Sequence, residues 1–267
     1  MEVYINEKKE FIKEHTLFEI RNKFKKDADI IILNGFPMKE DKEIEEGDKI
    51  TLIKRGEIPK KEELEALMIS RHTPYVYEKL KKGRVAIAGA GGLGSNVALS
   101  LTRIGVGFIK IIDFDIVEPS NLNRQQYYVK HIGMKKVHAI KEILKEVNPF
   151  VNVEAIDKKI EKENIEELFN DVDIIVEAFD NPEYKAMVVN EVLTKLKDKK
   201  IVSASGMAGF YSNNIIETRK LNSRFYICGD FVNEAKVNNG LMAPRVAIVA
   251  NHQANTVVRL LLGEEEV

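Results

Sequence analysis

Gly89, Gly91, Gly92 and Gly94, in the segment GAGGLG, are the first residues of this sequence whose spacing could do chemistry. The apolar run RVAIA precedes them and the helix-forming run SNVALSLTR follows. Glycines between a strand and a helix let the backbone approach a phosphate, and the helix start adds unpaired N–H groups and the positive end of its dipole. The plain alternative is a tight strand-to-helix turn, but the flanking pattern is the one a nucleotide loop requires. Asp113 closes the next strand, 24 residues after Gly89. That spacing suits a carboxylate bonded to ribose hydroxyls. At this point a dinucleotide site for hydride transfer and a nucleoside triphosphate site fit equally well.

The next segment separates them. FDIVEPSNLNRQQYY gathers Asp115, Asn121, Asn123, Arg124 and Gln125 in one polar stretch. A guanidinium fork there suits a polyphosphate. Lys136 follows a Gly-Met turn at a helix start, within reach of a phosphate. EAFDN places Asp180 at the carboxyl end of a later strand, the edge where open α/β sheets bind ligands. A carboxylate facing phosphates is a natural Mg²⁺ ligand. Each residue alone could be an ordinary surface group; the set predicts a phosphoryl-type site.

The elements that must position these residues alternate. From Arg84 onward, apolar strands such as FIKIIDFD, VNVEAID, VDIIVEAFD and KIVSASG are separated by amphipathic helices. This pattern predicts an α/β fold, a Rossmann-like doubly wound and mostly parallel sheet covered on both faces. LMAPRVAIVANHQANTVVRLLLG predicts a long final helix. The first part differs. Two extended runs, a helix beginning after Thr16, a strand entering the Asn-Gly turn of IIILNGFPM, and a last strand in KITLIKRG are the order of a small β-grasp, ubiquitin-like α+β domain. The predicted division is residues 1–58 for the β-grasp domain, 59–83 for a charged helical connector, and 84–267 for the nucleotide-binding domain.

With 41 Lys and Arg against 42 Asp and Glu, the formal net charge is −1. Basic and acidic side chains also balance within the first part, so nothing electrostatic points to nucleic acid as the main partner. One cysteine, Cys228, excludes an internal disulfide framework and a zinc site built from paired thiolates. No run approaches the roughly 18 apolar residues needed to span a bilayer. The charged start lacks the features of a signal peptide, so a cytoplasmic location is expected, with no membrane partner. The five histidines are scattered without metal-ligand spacing and are expected to be structural or surface residues.

The motifs GAGGLGS, IDFDIVEPSNLNRQ, IGMKKV and EAFDN, in this order, resemble the ThiF/MoeB/HesA family, the bacterial relatives of ubiquitin-activating enzymes. SASGMAGFYSNNI, YICGD and GLMAPRVAIVANHQAN look like its shorter, zinc-free ThiF type, and LNGFPMKEDKEIEEGDKITLIKRG resembles the sulfur carrier ThiS. The resemblance implies adenylation of a ubiquitin-like carrier's C-terminal glycine by ATP for thiamine thiazole synthesis, with release of pyrophosphate. It implies that Asp113 holds the ribose, that Asn121 and Arg124 hold phosphates, that Lys136 stabilises charge at the α-phosphate, and that Asp180 binds Mg²⁺. It also implies a homodimer in which Arg71 reaches the partner subunit's ATP. A sulfur donor protein is a further partner if Cys228, which stands where some relatives carry a sulfur-transfer cysteine, has that role. The competing role for Cys228 is that of a small buried apolar residue.

Two features depart from the family pattern. The chain lacks the cysteine pairs of zinc-binding members. The carrier-like first part ends on a single Gly56, followed by Glu57 and Pro59 in an unbroken chain, so it has no free glycine carboxylate there to be adenylated. Other readings are a molybdopterin-type carrier or a tRNA base as substrate, a non-catalytic nucleotide-binding scaffold, and an NAD oxidoreductase, which NLNRQ disfavours.

Overall fold

The computed structural model describes every residue apart from Thr73 and the side chains of Ser70, Arg71, His72 and Pro74. The chain divides into two compact units, Met1–Tyr77 and Glu78–Val267.

In the first unit, β1 (Glu2–Ile5), β2 (Lys8–Phe11), α1 (Leu17–Phe24), β3 (Ile30–Leu33), β4 (Phe36–Met38) and β5 (Lys49–Ile53) precede α2 (Lys61–His72). The sheet order is β2-β1-β5-β3-β4, with β1 and β5 parallel and the other pairs antiparallel, a β-grasp arrangement. Period-2 alternation sends Val3, Ile5, Ile31, Leu33, Ile50 and Leu52 to one face, where Leu17 and Ile20 of α1 cover them. Thr16 and Glu19 cap α1 reciprocally, each side chain bonding the other's backbone N–H. Asn34 and Gly35 turn β3 into β4 with φ of 49° and 88°, the left-handed pair that matches hairpin twist.

The second unit begins within α3 (Pro74–Lys82) and continues through β6 (Arg84–Ala88), α4 (Gly92–Arg103), β7 (Phe108–Asp113), α5 (Lys136–Val147), β8 (Asn152–Asp157), α6 (Ile165–Phe169), β9 (Ile174–Glu177), α7 (Pro182–Lys195), β10 (Lys200–Ala204), β11 (Glu217–Lys220), β12 (Phe225–Gly229) and α8 (Ala243–Leu262). Its sheet order is β11-β12-β10-β9-β6-β7-β8, and every neighbouring pair is parallel except β11 with β12. Helices α4, α5 and α8 lie together against one face. Ile165, Leu168 and Phe169 of α6 and Val188 and Val192 of α7 bury the other against Ala86, Ala88, Ile112 and Ile175. This is the expected Rossmann-like sheet, preceded by the expected β-grasp unit. The β11–β12 hairpin was not expected. Glu217–Lys220 is polar throughout and carries no strand periodicity; its place comes from pairing with β12 at the sheet edge.

Strand order reverses at β6, with β9 on one side and β7 on the other. The loops after these strands therefore open a crevice at the carboxyl edge of the sheet, the usual ligand position in this architecture.

Candidate active site

The glycine loop lies at that crevice. Gly89 has φ of 102°, and its N–H donates to the Ile112 carbonyl at 2.8 Å. A β-carbon there would press on the Ala178 carbonyl and the Phe179 ring, at 3.1 and 3.3 Å. Gly91 is the N-cap of α4 and supplies no side-chain cap, so the first N–H groups of the helix face the cavity with no side-chain cap among the described residues. Gly94 does a different job. A β-carbon on it would overlap the Gly89 carbonyl oxygen, so it seats the helix directly on the loop.

Asp113 ties the loop to the next strand. Its Oδ2 accepts the Ala90 N–H at 2.7 Å and its Oδ1 accepts the Asp115 N–H at 2.8 Å. Each oxygen keeps a lone pair for a hydroxyl donor. Tyr127, buried, donates its hydroxyl to the Ala90 carbonyl at 2.7 Å, which straps the polar segment to the glycine loop. Burial, with the nearby charges of Asp113 and Asp115, pushes this phenol well above its ordinary value, so it remains a hydrogen-bond donor.

A 3₁₀ turn at Pro119–Asn123 shapes the polar segment, and the Glu118 N–H donates to Asn121 Oδ1 at 3.1 Å. The turn delivers Arg124 over the start of α4, with its Cγ 3.4 Å from where a Gly92 β-carbon would sit. Arg124 Nη1 is held by the Ser120 carbonyl at 3.2 Å and Asn123 Oδ1 at 2.8 Å. Gln125 is buried beside Gly91, and its Oε1 has no hydrogen-bond partner among the described residues. Lys136 is the first residue of α5, nearly buried, with Nζ 2.8 Å from Asp115 Oδ2.

Asp180 sits in the loop between β9 and α7, exposed at the cavity wall. The crevice holds one cavity of about 800 Å³. Gly89, Gly91, Gly92, Asp113, Asp115, Asn121, Arg124, Gln125, Lys136 and Asp180 all lie on its wall. Gly94 lies behind it. Arg71 is on α2, and its side chain is outside the described residues.

Cys228 is not on this wall. It is fully buried in β12, with its sulfur 3.5 Å from Thr218 Oγ1 and 3.9 Å from Thr256 Oγ1. Burial pushes the thiol up to about 11, which suppresses the thiolate that sulfur chemistry needs. Cys228→Ser is therefore expected to leave ATP–pyrophosphate exchange within about twofold of the parent chain, and the native protein should resist iodoacetamide. Rapid alkylation of the folded chain, or loss of exchange in a folded variant, would contradict this placement.

No motif or spacing in the sequence singles out several residues of this wall. Lys158 and Lys159 enter from the loop after β8, Tyr184 and Lys185 from α7, and Phe179 from beside Asp180. Glu177 stands behind them, buried, with Lys185 Nζ 2.9 Å from Oε1. Its one available signal was an acid ending the apolar run IIVE. The loops after β10 and β12 close another side of the cavity. A buried Arg245–Asp230 ion pair holds them, and Arg245 Nη1 also donates to the Tyr211 and Ser212 carbonyls at 2.7 and 3.0 Å.

Residues 64–267, from α2 through the whole second unit, match the ThiF family. The chain belongs to the ThiF family. Residues 1–56 of this ThiF-family chain match the ThiS-like ubiquitin family. Over 198 residues the chain is 35% identical to the sulfur carrier protein ThiS adenylyltransferase of Bacillus subtilis, covering 72% of this chain and 58% of that protein. It is 31% identical over 195 residues to the molybdopterin-synthase adenylyltransferase of Haemophilus influenzae, covering 69% and 77%. It is also 31% identical over 192 residues to the adenylyltransferase and sulfurtransferase UBA4 of Candida glabrata, covering 69% and 44%. The match thus spans less than two thirds of the ThiS adenylyltransferase and less than half of UBA4. The E. coli tRNA N6-threonylcarbamoyladenosine dehydratase TcdA, solved in complex with ATP, superposes with a TM-score of 0.67 at 18% identity, covering 73% of this chain and 92% of that one. At that identity the likeness speaks for the fold. Among the described residues no helix is long and apolar enough to cross a membrane.

Proposed function

We propose that this chain adenylates the C-terminal glycine of a ubiquitin-like sulfur carrier with ATP, releasing pyrophosphate, and that its carrier is of the ThiS type used in thiazole synthesis for thiamine. The observation that carries this reading is the convergence of the glycine loop, Arg124, Lys136 and Asp180 on one cavity. Its volume falls in the range of small-molecule sites. The 35% identity to a ThiS adenylyltransferase and the ThiS-like match of residues 1–56 support the choice of carrier.

The chemistry asks little of acid–base groups. The nucleophile is a terminal carboxylate, already ionised at neutral pH. Its oxygen bonds to the α-phosphorus, and the bond from that phosphorus to the bridging oxygen breaks, with the electron pair leaving on pyrophosphate. The open N–H groups at the start of α4 receive phosphate oxygens. Arg124 and Lys136 offset the charge that builds on the α-phosphate and the departing group. Asp113 accepts the ribose hydroxyls while its backbone bonds keep the loop in place.

The donor set at Asp180 fits Mg²⁺. The carboxylate is exposed on the wall and has no side-chain hydrogen bond or ion pair among the described residues. Among those residues no group of three metal-ligating side chains occurs. Mg²⁺ characteristically takes one or two carboxylates and completes its shell with substrate phosphates and water. When bound, the ion would neutralise charge on the phosphate oxygens. The homodimer, with Arg71 reaching the partner's nucleotide, belongs to the same reading.

The deciding experiment is ATP–pyrophosphate exchange with a ThiS-type and a molybdopterin-type carrier, each with and without its terminal Gly-Gly. Exchange that requires the ThiS-type carrier and its Gly-Gly is the expected result. Exchange with the molybdopterin-type carrier alone would overturn the thiamine assignment, and no exchange with either would overturn the carrier reading.

A further inference from the structure

We infer that Lys185 is a positioning residue for Asp180, acting through the buried carboxylate of Glu177; the inference rests on the adenylation reading. Asp180 lies on a short loop, and its neighbours on both sides are anchored. On one side, Glu177 ends β9 with no exposed surface. Its Oε1 accepts the Phe179 N–H at 2.7 Å, and the Ser203 hydroxyl donates to its Oε2. Its carbonyl accepts Gln253 Nε2 of α8 at 2.9 Å, and the next N–H, of Ala178, donates to the Ala88 carbonyl of β6 at 2.9 Å. On the other side, Asn181 caps α7, its Oδ1 accepting the Glu183 and Tyr184 N–H groups at 2.8 and 3.2 Å.

Lys185 closes this arrangement. From the first turns of α7 it reaches back eight residues and donates to both oxygens of Glu177, at 2.9 and 3.0 Å. Its ammonium is thus committed to a carboxylate with no exposed surface. The strand end, the helix start and the loop carrying Asp180 form one braced unit. Lys185 lines the cavity, but its charge is matched by Glu177, so the pair adds no net positive charge to the phosphate region. Without Lys185 the enclosed carboxylate loses its ion-pair partner and shifts, which disturbs the Phe179 N–H bond next to Asp180.

The test is isothermal titration of ATP into the full chain, with Mg²⁺ and separately with EDTA. In the parent chain Mg²⁺ should strengthen ATP binding. Lys185→Met should cut that Mg²⁺-dependent gain by about tenfold, the size expected when an outer partner of a metal ligand is lost. Its affinity in EDTA should stay within about twofold of the parent. Lys185→Arg, which keeps charge and donors, should restore the gain. If Lys185→Met does not fold by circular dichroism, Lys185→Gln is read by the same criteria. A full Mg²⁺-dependent gain in a folded variant overturns the inference. So does an equal loss in EDTA, which would mean that Lys185 contacts the nucleotide itself. A parent chain that binds ATP with no Mg²⁺ dependence would instead defeat the role given to Asp180 in the adenylation reading.

Discussion

Arg124→Ala is expected to lower the rate of ATP–pyrophosphate exchange by about two to three orders of magnitude, the size of effect seen when one preorganised donor to a developing anion is removed. The melting temperature should move by no more than a few degrees. Arg124 is only half-buried, and among the described residues its guanidinium forms no ion pair; there only its Nη1 is engaged, by the Ser120 carbonyl and Asn123 Oδ1. Its stem crosses the start of α4 beside Gly92, which leaves the rest of the fork for phosphate oxygens. Stability and catalysis are therefore separable at this residue. Arg124→Lys should recover only part of the rate, because an ammonium keeps the charge and loses the planar fork. Exchange in Arg124→Ala within about threefold of the parent would remove Arg124 from the phosphate site.

The second large effect concerns folding. Gly94→Ala should cost about 3 kcal/mol or more, because the added methyl would overlap the Gly89 carbonyl oxygen and the backbone of the loop has to move. For a unit of the size of Glu78–Val267 that is a fall in melting temperature of roughly 6–12 °C. Gly91→Ala is the contrast. It has an ordinary φ of −77°, and the nearest atom to a β-carbon there is Gln125 Nε2, at 3.9 Å. It should fold nearly as well as the parent yet bind ATP less tightly, since the methyl stands where a phosphate would approach the helix start. Thermal melts and ATP titrations on both variants check this. Gly94→Ala melting at the parent temperature would mean that helix and loop are not seated as described.

Much of this was legible from local pattern. Strand, glycine loop and helix follow from apolar runs and from the conformational freedom that only glycine has. The placement of Arg124, Lys136 and Asp180 at one crevice follows from a rule of open α/β sheets, under which loops after neighbouring parallel strands share an edge. The β-grasp order was readable because each of its turns carries its own signal, Asn34-Gly35 above all.

What local pattern could not supply was the identity of contacts between residues far apart in the chain. Gly91 and Gly94 are the same residue type three positions apart, yet one faces the cavity and the other is pressed against a carbonyl. Cys228 sits in a segment suited to sulfur chemistry, but the pleat turns it inward between Thr218 and Thr256, where its thiol stays protonated. Glu177, Lys185 and Ser203 come from β9, α7 and β10, and no spacing rule joins them. Sequence by itself determined the alternating strands and helices, though not β11, and brought the glycine loop, Arg124, Lys136 and Asp180 to the sheet's carboxyl edge, because propensity, periodicity and glycine geometry act over a few residues. Tertiary structure alone decided which of those groups reach the cavity and which brace it, because burial and ion pairing depend on packing between elements distant in the chain.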